Sequence, residues 1–361
     1  KAKKMSPEIT SNTFLTYTCT NTSKASSQQP AQPPETTIFF ISGNPGLIGY
    51  YHPFLSLLST YLTPENITEN ENGDIQPSFQ IYGCSLGGFE LHDAKTPNKP
   101  PKNQSDNVDL DLEDQIRFLQ GKLSTIMKKE TSSITVGKKR KVILIGHSVG
   151  AYIAMEILRR HRENISGSDS KEEKGNEFDI IGGAMLFPTV VDIAASASGR
   201  KLTTLLSIIP QFAAVIGFFA RLLTLLLPAS ILRALVRFVM NDPPAHALDA
   251  TCSFLASSGG VRQALHMAAD EMRTITSDKW SDDVWGVATA REPLTKLFFY
   301  FGRKDHWVAD QTRDEIIAVR GGEGRGPIML VCEEDLPHAF CLEHSDTMAR
   351  KTAAMIRLIV G

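Results

Sequence analysis

The run Lys141-Val142-Ile143-Leu144-Ile145-Gly146-His147-Ser148-Val149-Gly150-Ala151-Tyr152 constrains this chain more than any other stretch. A short apolar, β-rich segment meets Gly-x-Ser-x-Gly, and a helical pattern starts at once behind it, continuing through Ile153 to Leu158. That order predicts a strand, a sharp turn carrying the serine, and a helix. Side chains at positions 146 and 150 would collide with neighbouring strand and helix as the turn tightens, so both are glycine. The turn lifts the Ser148 hydroxyl above the end of a sheet. It also leaves the Val149 N–H at a helix start, where it can stabilise an oxyanion.

A serine alcohol is a weak nucleophile. It needs a base within hydrogen-bond reach, and the base needs an orienting acid. In a strand–turn–helix arrangement of this kind, acid and then base follow the serine at the ends of later strands. Asp305 stands just after the apolar run Leu294–Phe301, and His338 just after Ile328–Cys332. Asp192, after the run 180–187, is the rival acid, and Asp310 reads as a solvated helix-start residue. Among the nine histidines, His147 lies inside the turn and is read as pointing away from the base position. His306 can only line the mouth, and His344 belongs to the start of the last helix. His52 and His92 precede the serine, while His161, His246 and His266 read as solvated or packing residues. The turn Ser42-Gly43-Asn44-Pro45-Gly46 after the apolar run 37–41 is placed to supply the second oxyanion donor, the Asn44 N–H. The bland alternative is an ordinary Gly/Pro turn.

The rest of the chain alternates strands with helices. Strands are predicted at 13–19, 37–41, 79–83, 180–187, 294–301 and 328–332. Helices are predicted at 50–62, 312–319 and 345–359. Another carries Leu112, Ile116, Leu119, Leu123 and Ile126 on one face. Several strands are almost wholly apolar, which implies a mainly parallel sheet covered by helices on both sides. Polar inserts interrupt it at 64–77, 93–108 and 164–177. A 361-residue chain suits one large α/β domain with an insertion. A net charge of −2 gives no reason to expect nucleic acid as a partner. Five scattered cysteines without CxxC spacing argue against a disulfide framework and a zinc site, and fit a reducing compartment. The sequons at Asn21, Asn66, Asn103 and Asn164 lie in polar loops and read as chance matches. No signal peptide is visible in these residues.

Four motifs in order carry a resemblance: Ser42-Gly43-Asn44-Pro45-Gly46, Gly146 to Tyr152, Phe301-Gly302-x-x-Asp305-x-Trp307, and Pro337-His338-Ala339-Phe340. Together they resemble the lipid droplet-associated hydrolase family, from residue 37 to residue 345. The resemblance implies the α/β-hydrolase fold with a helical cap insertion. It also implies a serine lipid hydrolase of lipid droplets and the cytosolic face of the endoplasmic reticulum, with sterol-esterase activity that is weak. Ser148, Asp305 and His338 then take the nucleophile, acid and base roles, and no cofactor or metal is called for. Ser42 departs from the pattern, since many α/β-hydrolases have His there and relatives of this family often have Pro. The three polar inserts look additional.

The expected organisation is a hydrolase core in two parts, 1–188 and 291–361, with the cap at 189–290. Within the cap, 202–220 carries no charge, and Arg221 is followed by Leu222–Leu227. A spanning helix needs about 20 apolar residues, and Pro210 and Pro228 would break this run into shorter pieces. Such pieces suit helices that dip into a lipid monolayer, with Ile231–Met240 at the interface. The predicted partners are therefore a lipid ester substrate, of the sterol-ester or acylglycerol class, and a lipid droplet monolayer or membrane surface contacted through 202–240. The alternative for the cap is a buried lid over an acyl pocket. The rivals for function are a thioesterase or non-lipid esterase on the same residues, and a lipid-droplet surface protein whose triad is vestigial.

Overall fold

The computed structural model describes residues 6–18, 34–63, 78–91, 109–131, 139–166, 178–209, 211–287, 295–322 and 326–361. The inserts 64–77 and 93–108, most of 164–177, Cys19, His92, Pro210, Leu294 and the sequons at Asn21, Asn66 and Asn103 lie outside the described residues.

Among the described residues eight strands make one sheet: β1 (Glu8–Ile9), β2 (Thr13–Tyr17), β3 (Thr36–Ile41), β4 (Phe79–Cys84), β5 (Arg140–His147), β6 (Phe178–Leu186), β7 (Lys296–Phe301) and β8 (Ile328–Val331). Their order across the sheet is β1-β2-β4-β3-β5-β6-β7-β8. β1 and β2 run antiparallel at one edge, and every pairing from β4 to β8 is parallel. The mainly parallel sheet read from the sequence is therefore present. All six residues of β3 are buried, as a central strand covered on both faces requires. The two-residue β1 is too short for any alternation to announce it.

The core helices are α1 (His52–Tyr61), α2 (Leu112–Thr131), α3 (Val149–Ser166), α9 (Asp310–Arg320) and α10 (Ser345–Val360). α1 packs against α10, and α2 against α3, which itself lies on β5. The helix expected from Tyr50 begins instead as a 3-10 turn, Ile48–Tyr51, before Pro53 opens α1 proper. Proline fits a first turn because the N–H it lacks would have no intrahelical partner there.

Between β6 and β7 lie α4 (Ala197–Ile208), α5 (Phe212–Leu226), α6 (Ala229–Val239), α7 (Ala245–Ala256) and α8 (Gly260–Thr274). Among the described residues no single helix is long and apolar enough to cross a membrane. α4 and α5 would reach that length only as a pair, and they are bent by 92°. α5 has no buried residue, so it does not form the buried lid. Fourteen of the nineteen large apolar side chains exposed among the described residues fall between Leu205 and Val239. α6 is divided differently from the expectation. Leu232 and Val236, four residues apart, turn inward onto Leu248 of α7, leaving Leu235, Phe238 and Val239 outside. Arg233 and Arg237 are paired with Asp249 and Asp242.

Candidate active site

The elbow forms as the sequence requires. β5 ends at His147, α3 starts at Val149, and Ser148 between them holds φ 55°, a left-handed conformation that side chains resist. A Cβ on Gly146 would stand 2.3 Å from the Gly150 carbonyl oxygen, and one on Gly150 would stand 2.4 Å from that of Ile41. Neither position can carry any other residue without moving backbone. The Ser148 N–H donates to the Leu186 carbonyl at the end of β6, which pins the turn to the next strand.

The three residues singled out in the sequence meet here. His338 Nε2 lies 2.9 Å from Ser148 Oγ, and His338 Nδ1 lies 2.7 Å from Asp305 Oδ2. The other carboxylate oxygen, Asp305 Oδ1, accepts the Trp307 N–H at 2.8 Å. Burial works to raise the Asp305 carboxyl, but the His338 hydrogen bond and charge and the Trp307 N–H outweigh it and hold it below its ordinary range. A carboxylate kept ionised on Nδ1 puts the imidazole proton there and turns the Nε2 lone pair toward the hydroxyl. Asp192, the rival acid, lies ahead of a 3-10 turn, Ile193–Ala195, with its carbonyl bonded to the Ala195 N–H. Among the described residues it makes no hydrogen bond to His338.

The two expected oxyanion donors flank this line. The turn after β3 is pressed onto the elbow, since a Cβ on Gly43 would lie 3.0 Å from the Ser148 Cβ. The N–H groups of Asn44 and Val149 have no hydrogen-bond partner among the described residues. The Asn44–Pro45 peptide bond is cis. Ser42, the departure from the family pattern, is fully buried, and its hydroxyl has no partner among the described residues.

His147 has a structural part that its place inside the turn does not announce. It is not the base, but its Nε2 lies 2.9 Å from the His338 carbonyl oxygen, and its Nδ1 lies 2.7 Å from Tyr51 Oη. The carbonyl can only accept, so Nε2 carries the proton and Nδ1 accepts from the Tyr51 hydroxyl. Tyr51 Oη in turn accepts the Gly43 N–H at 3.1 Å. One buried chain thus joins the turn after β3 to the backbone of His338. No local signal could reveal it, because the partner of His147 lies 191 residues away.

Burial, assisted by the His338 charge, lowers the His147 imidazole to about 3. An unfolded histidine titrates near about 6.5. Below that value the unfolded chain takes up a proton that the folded chain refuses. The contribution is therefore complete above pH ~6.5 and drains as pH falls toward 3, by about 1.4 kcal/mol per unit. Urea unfolding at pH 7 and pH 5 should show the wild type losing roughly 2 kcal/mol more than His147→Gln. Equal losses in the two proteins would refute the buried neutral imidazole.

Strand order, elbow and covering helices define a protein of the α/β-hydrolase fold. Solved structures agree at the level of fold. A haloalkane dehalogenase, DbeA from Bradyrhizobium elkani USDA94, superposes with a TM-score of 0.54 at 12% identity, covering 98% of this chain and 96% of its own. A mutant of DBJA gives 0.53 at 12% identity, with 97% and 96% covered. The family model for lipid-droplet associated hydrolases matches residues 34–341. The chain belongs to that family. The lipid droplet-associated hydrolase of Gallus gallus is 27% identical over 331 residues, which cover 90% of this chain and 85% of the relative. That of Homo sapiens is 27% identical with 91% and 87% covered, and that of Dictyostelium discoideum 24% with 90% and 89%.

Proposed function

We propose that the protein is a serine hydrolase of a lipid carboxylic ester, of the sterol-ester or acylglycerol class, working at the lipid droplet surface and the cytosolic face of the endoplasmic reticulum. The observation that carries the chemistry is the Ser148–His338–Asp305 hydrogen-bond line. Ser148 Oγ attacks the ester carbonyl as its proton passes to His338 Nε2. The Asn44 and Val149 N–H groups receive the oxyanion, Asp305 steadies the imidazolium, and collapse expels the alcohol with that proton. Water then cleaves the acyl-enzyme by the same route, with no cofactor.

The lipid surface is supported by the cap. An apolar face this continuous is costly in water and marks an interaction site. Half-exposed side chains of this kind gain about 1 kcal/mol each on entering hydrocarbon, so the fourteen give a gross gain of roughly 10–20 kcal/mol. No Asp or Glu occurs from residue 193 to 241, whereas Arg200, Lys201 and Arg221 do, besides Arg233 and Arg237, which are paired with Asp249 and Asp242. That bias suits a surface of lipid phosphates.

Flotation tests the placement. The full chain should rise with lipid droplets and stay bound in 1 M salt, with a Debye length of about 3 Å, because the attachment is apolar rather than ionic. Deleting 202–240 should release it. So should Phe218→Asp with Phe219→Asp and Leu226→Asp, which touch only side chains already exposed and leave the core alone. Release of the wild type by salt, or retention of both variants, would refute the apolar anchor. Turnover of soluble thioesters or short esters far above that of emulsified lipid esters would favour the non-lipid esterase instead.

A further inference from the structure

The turn after β3 is held from above by the cap. The Asn44 side-chain amide donates both of its hydrogens to α8: to the Ala264 carbonyl at 2.9 Å and to Glu271 Oε1 at 3.0 Å. The Ala264 oxygen can only accept, so the amide nitrogen must face it. Asn44 Oδ1 is thereby committed to a buried position with no partner among the described residues. A buried carbonyl left in that state is unfavourable, and such groups persist where something else fixes the geometry.

Glu271 is itself anomalous. It is 6% exposed and sits near the end of α8, against the Asn44 side chain. Desolvation drives its carboxyl up to about 8, against the lowering effect of Asn44, so it is neutral at pH 7. A neutral acid accepts through its carbonyl oxygen and brings no negative charge to the turn where an oxyanion is to form. The helix that carries it is clamped to the core about two turns earlier and again beside it. Gln263 exchanges two hydrogen bonds with the Leu110 backbone, both 2.8 Å, and Asp270 accepts the Leu112 N–H at 3.0 Å. α8 is therefore a rigid rail, and residues 264 and 271 are two points along it that grip one side chain.

We propose that Glu271 is a positioning residue for ester hydrolysis, acting through the Asn44 side chain to aim the Asn44 backbone N–H at the oxyanion. This rests on the serine-hydrolase reading given above. Fixing the amide at two points restricts the rotation of Asn44 about its own backbone bonds. An N–H aimed in advance stabilises charge without having to reorganise during the reaction. The contact is made in the resting protein but its benefit falls on the transition state, so its loss should appear in kcat and leave KM nearly alone.

The test uses the full chain and p-nitrophenyl butyrate. Glu271→Leu should lower kcat by about tenfold or more with KM within about twofold, less than the 10²–10³ that loss of an oxyanion donor costs. Glu271→Gln should restore kcat to within about threefold of wild type, because its amide oxygen accepts the same hydrogen bond. Asn44→Ala, which removes both anchors, should cost at least as much as Glu271→Leu, and the double variant little more than Asn44→Ala alone, since the Glu271 contact acts only through Asn44. If Glu271→Leu does not fold, Asn44→Ala, which leaves α8 intact, must still show the kcat loss. Wild-type kcat in Asn44→Ala or in a folded Glu271→Leu, a change confined to KM, or losses that simply add would overturn the positioning role alone. A wild type that neither hydrolyses the ester nor labels with a fluorophosphonate would overturn the hydrolase reading, and this role with it.

Discussion

Ser148→Ala is expected to abolish fluorophosphonate labelling and to lower ester hydrolysis by a factor on the order of 10⁶, the scale seen when a triad nucleophile is removed. Only Oγ is lost, and its hydrogen bond in the structure is to His338. The backbone cost of φ 55° at this position is borne by alanine as by serine. The Gly146 and Gly150 contacts that shape the elbow stay as they are. The melting temperature should therefore move little while the chemistry disappears. Undiminished labelling in the variant would sink the assignment of the nucleophile and place the reactive group elsewhere.

Asp305→Asn should be damaging too, though less so, by roughly ten-thousandfold in kcat. An amide at this position can present an N–H to His338 Nδ1, which moves the imidazole proton to Nε2. The nitrogen that faces Ser148 is then a donor and cannot act as a base. The Asp305 carboxylate is buried, with both oxygens engaged by His338 and Trp307, so the substituted side chain is held in place rather than swung away. Asp192→Asn should leave kcat within about threefold of wild type, in the range of an ordinary surface change, because its carboxylate is bonded to neither His338 nor Ser148 among the described residues. Paired kcat measurements decide between the two acids. A larger loss at 192 than at 305 would show that the geometry of the resting site misleads.

These two outcomes depend on features that were legible in the sequence for a physical reason. A nucleophile elbow is a local object. Apolar strand, two glycines and an amphipathic helix are contiguous from Lys141 to Leu158, and each demands the next. Asp305 and His338 were found because parallel strands deliver their carboxyl ends to one edge of a sheet, so chain order and strand position suffice. The contacts that were missed share the opposite property. His147 reaches His338, and Asn44 reaches Glu271 across 227 residues. Periodicity reports which face of an element is apolar, but not which element comes to cover it. A glutamate in α8 reads as a solvated residue, and only the folded chain shows it buried. The same limit explains α6, where the heptad-like run Ile231 to Val239 has an apolar face, but only α7 decides that Leu232 and Val236 are the pair turned inward.

α5 lies on α8 with Gly217 close enough that a Cβ would come within 2.8 Å of Arg262 Cβ, yet it buries no side chain of its own. Its stability in water is consequently separate from that of the sheet. Opening it exposes little apolar surface that was not already wet, so its amide hydrogens should exchange with solvent at a far lower cost than those of β3 or β5. A protease should find it before any part of the core. On the proposed lipid-surface placement, lipid covering its face would bind the closed helix and not the opened one, and so would raise that local cost by mass action. Two separate melting processes are therefore expected. A thermal scan that reports Trp285, packed against Phe299 and Trp280, should record the core transition and pass silently over the opening of α5.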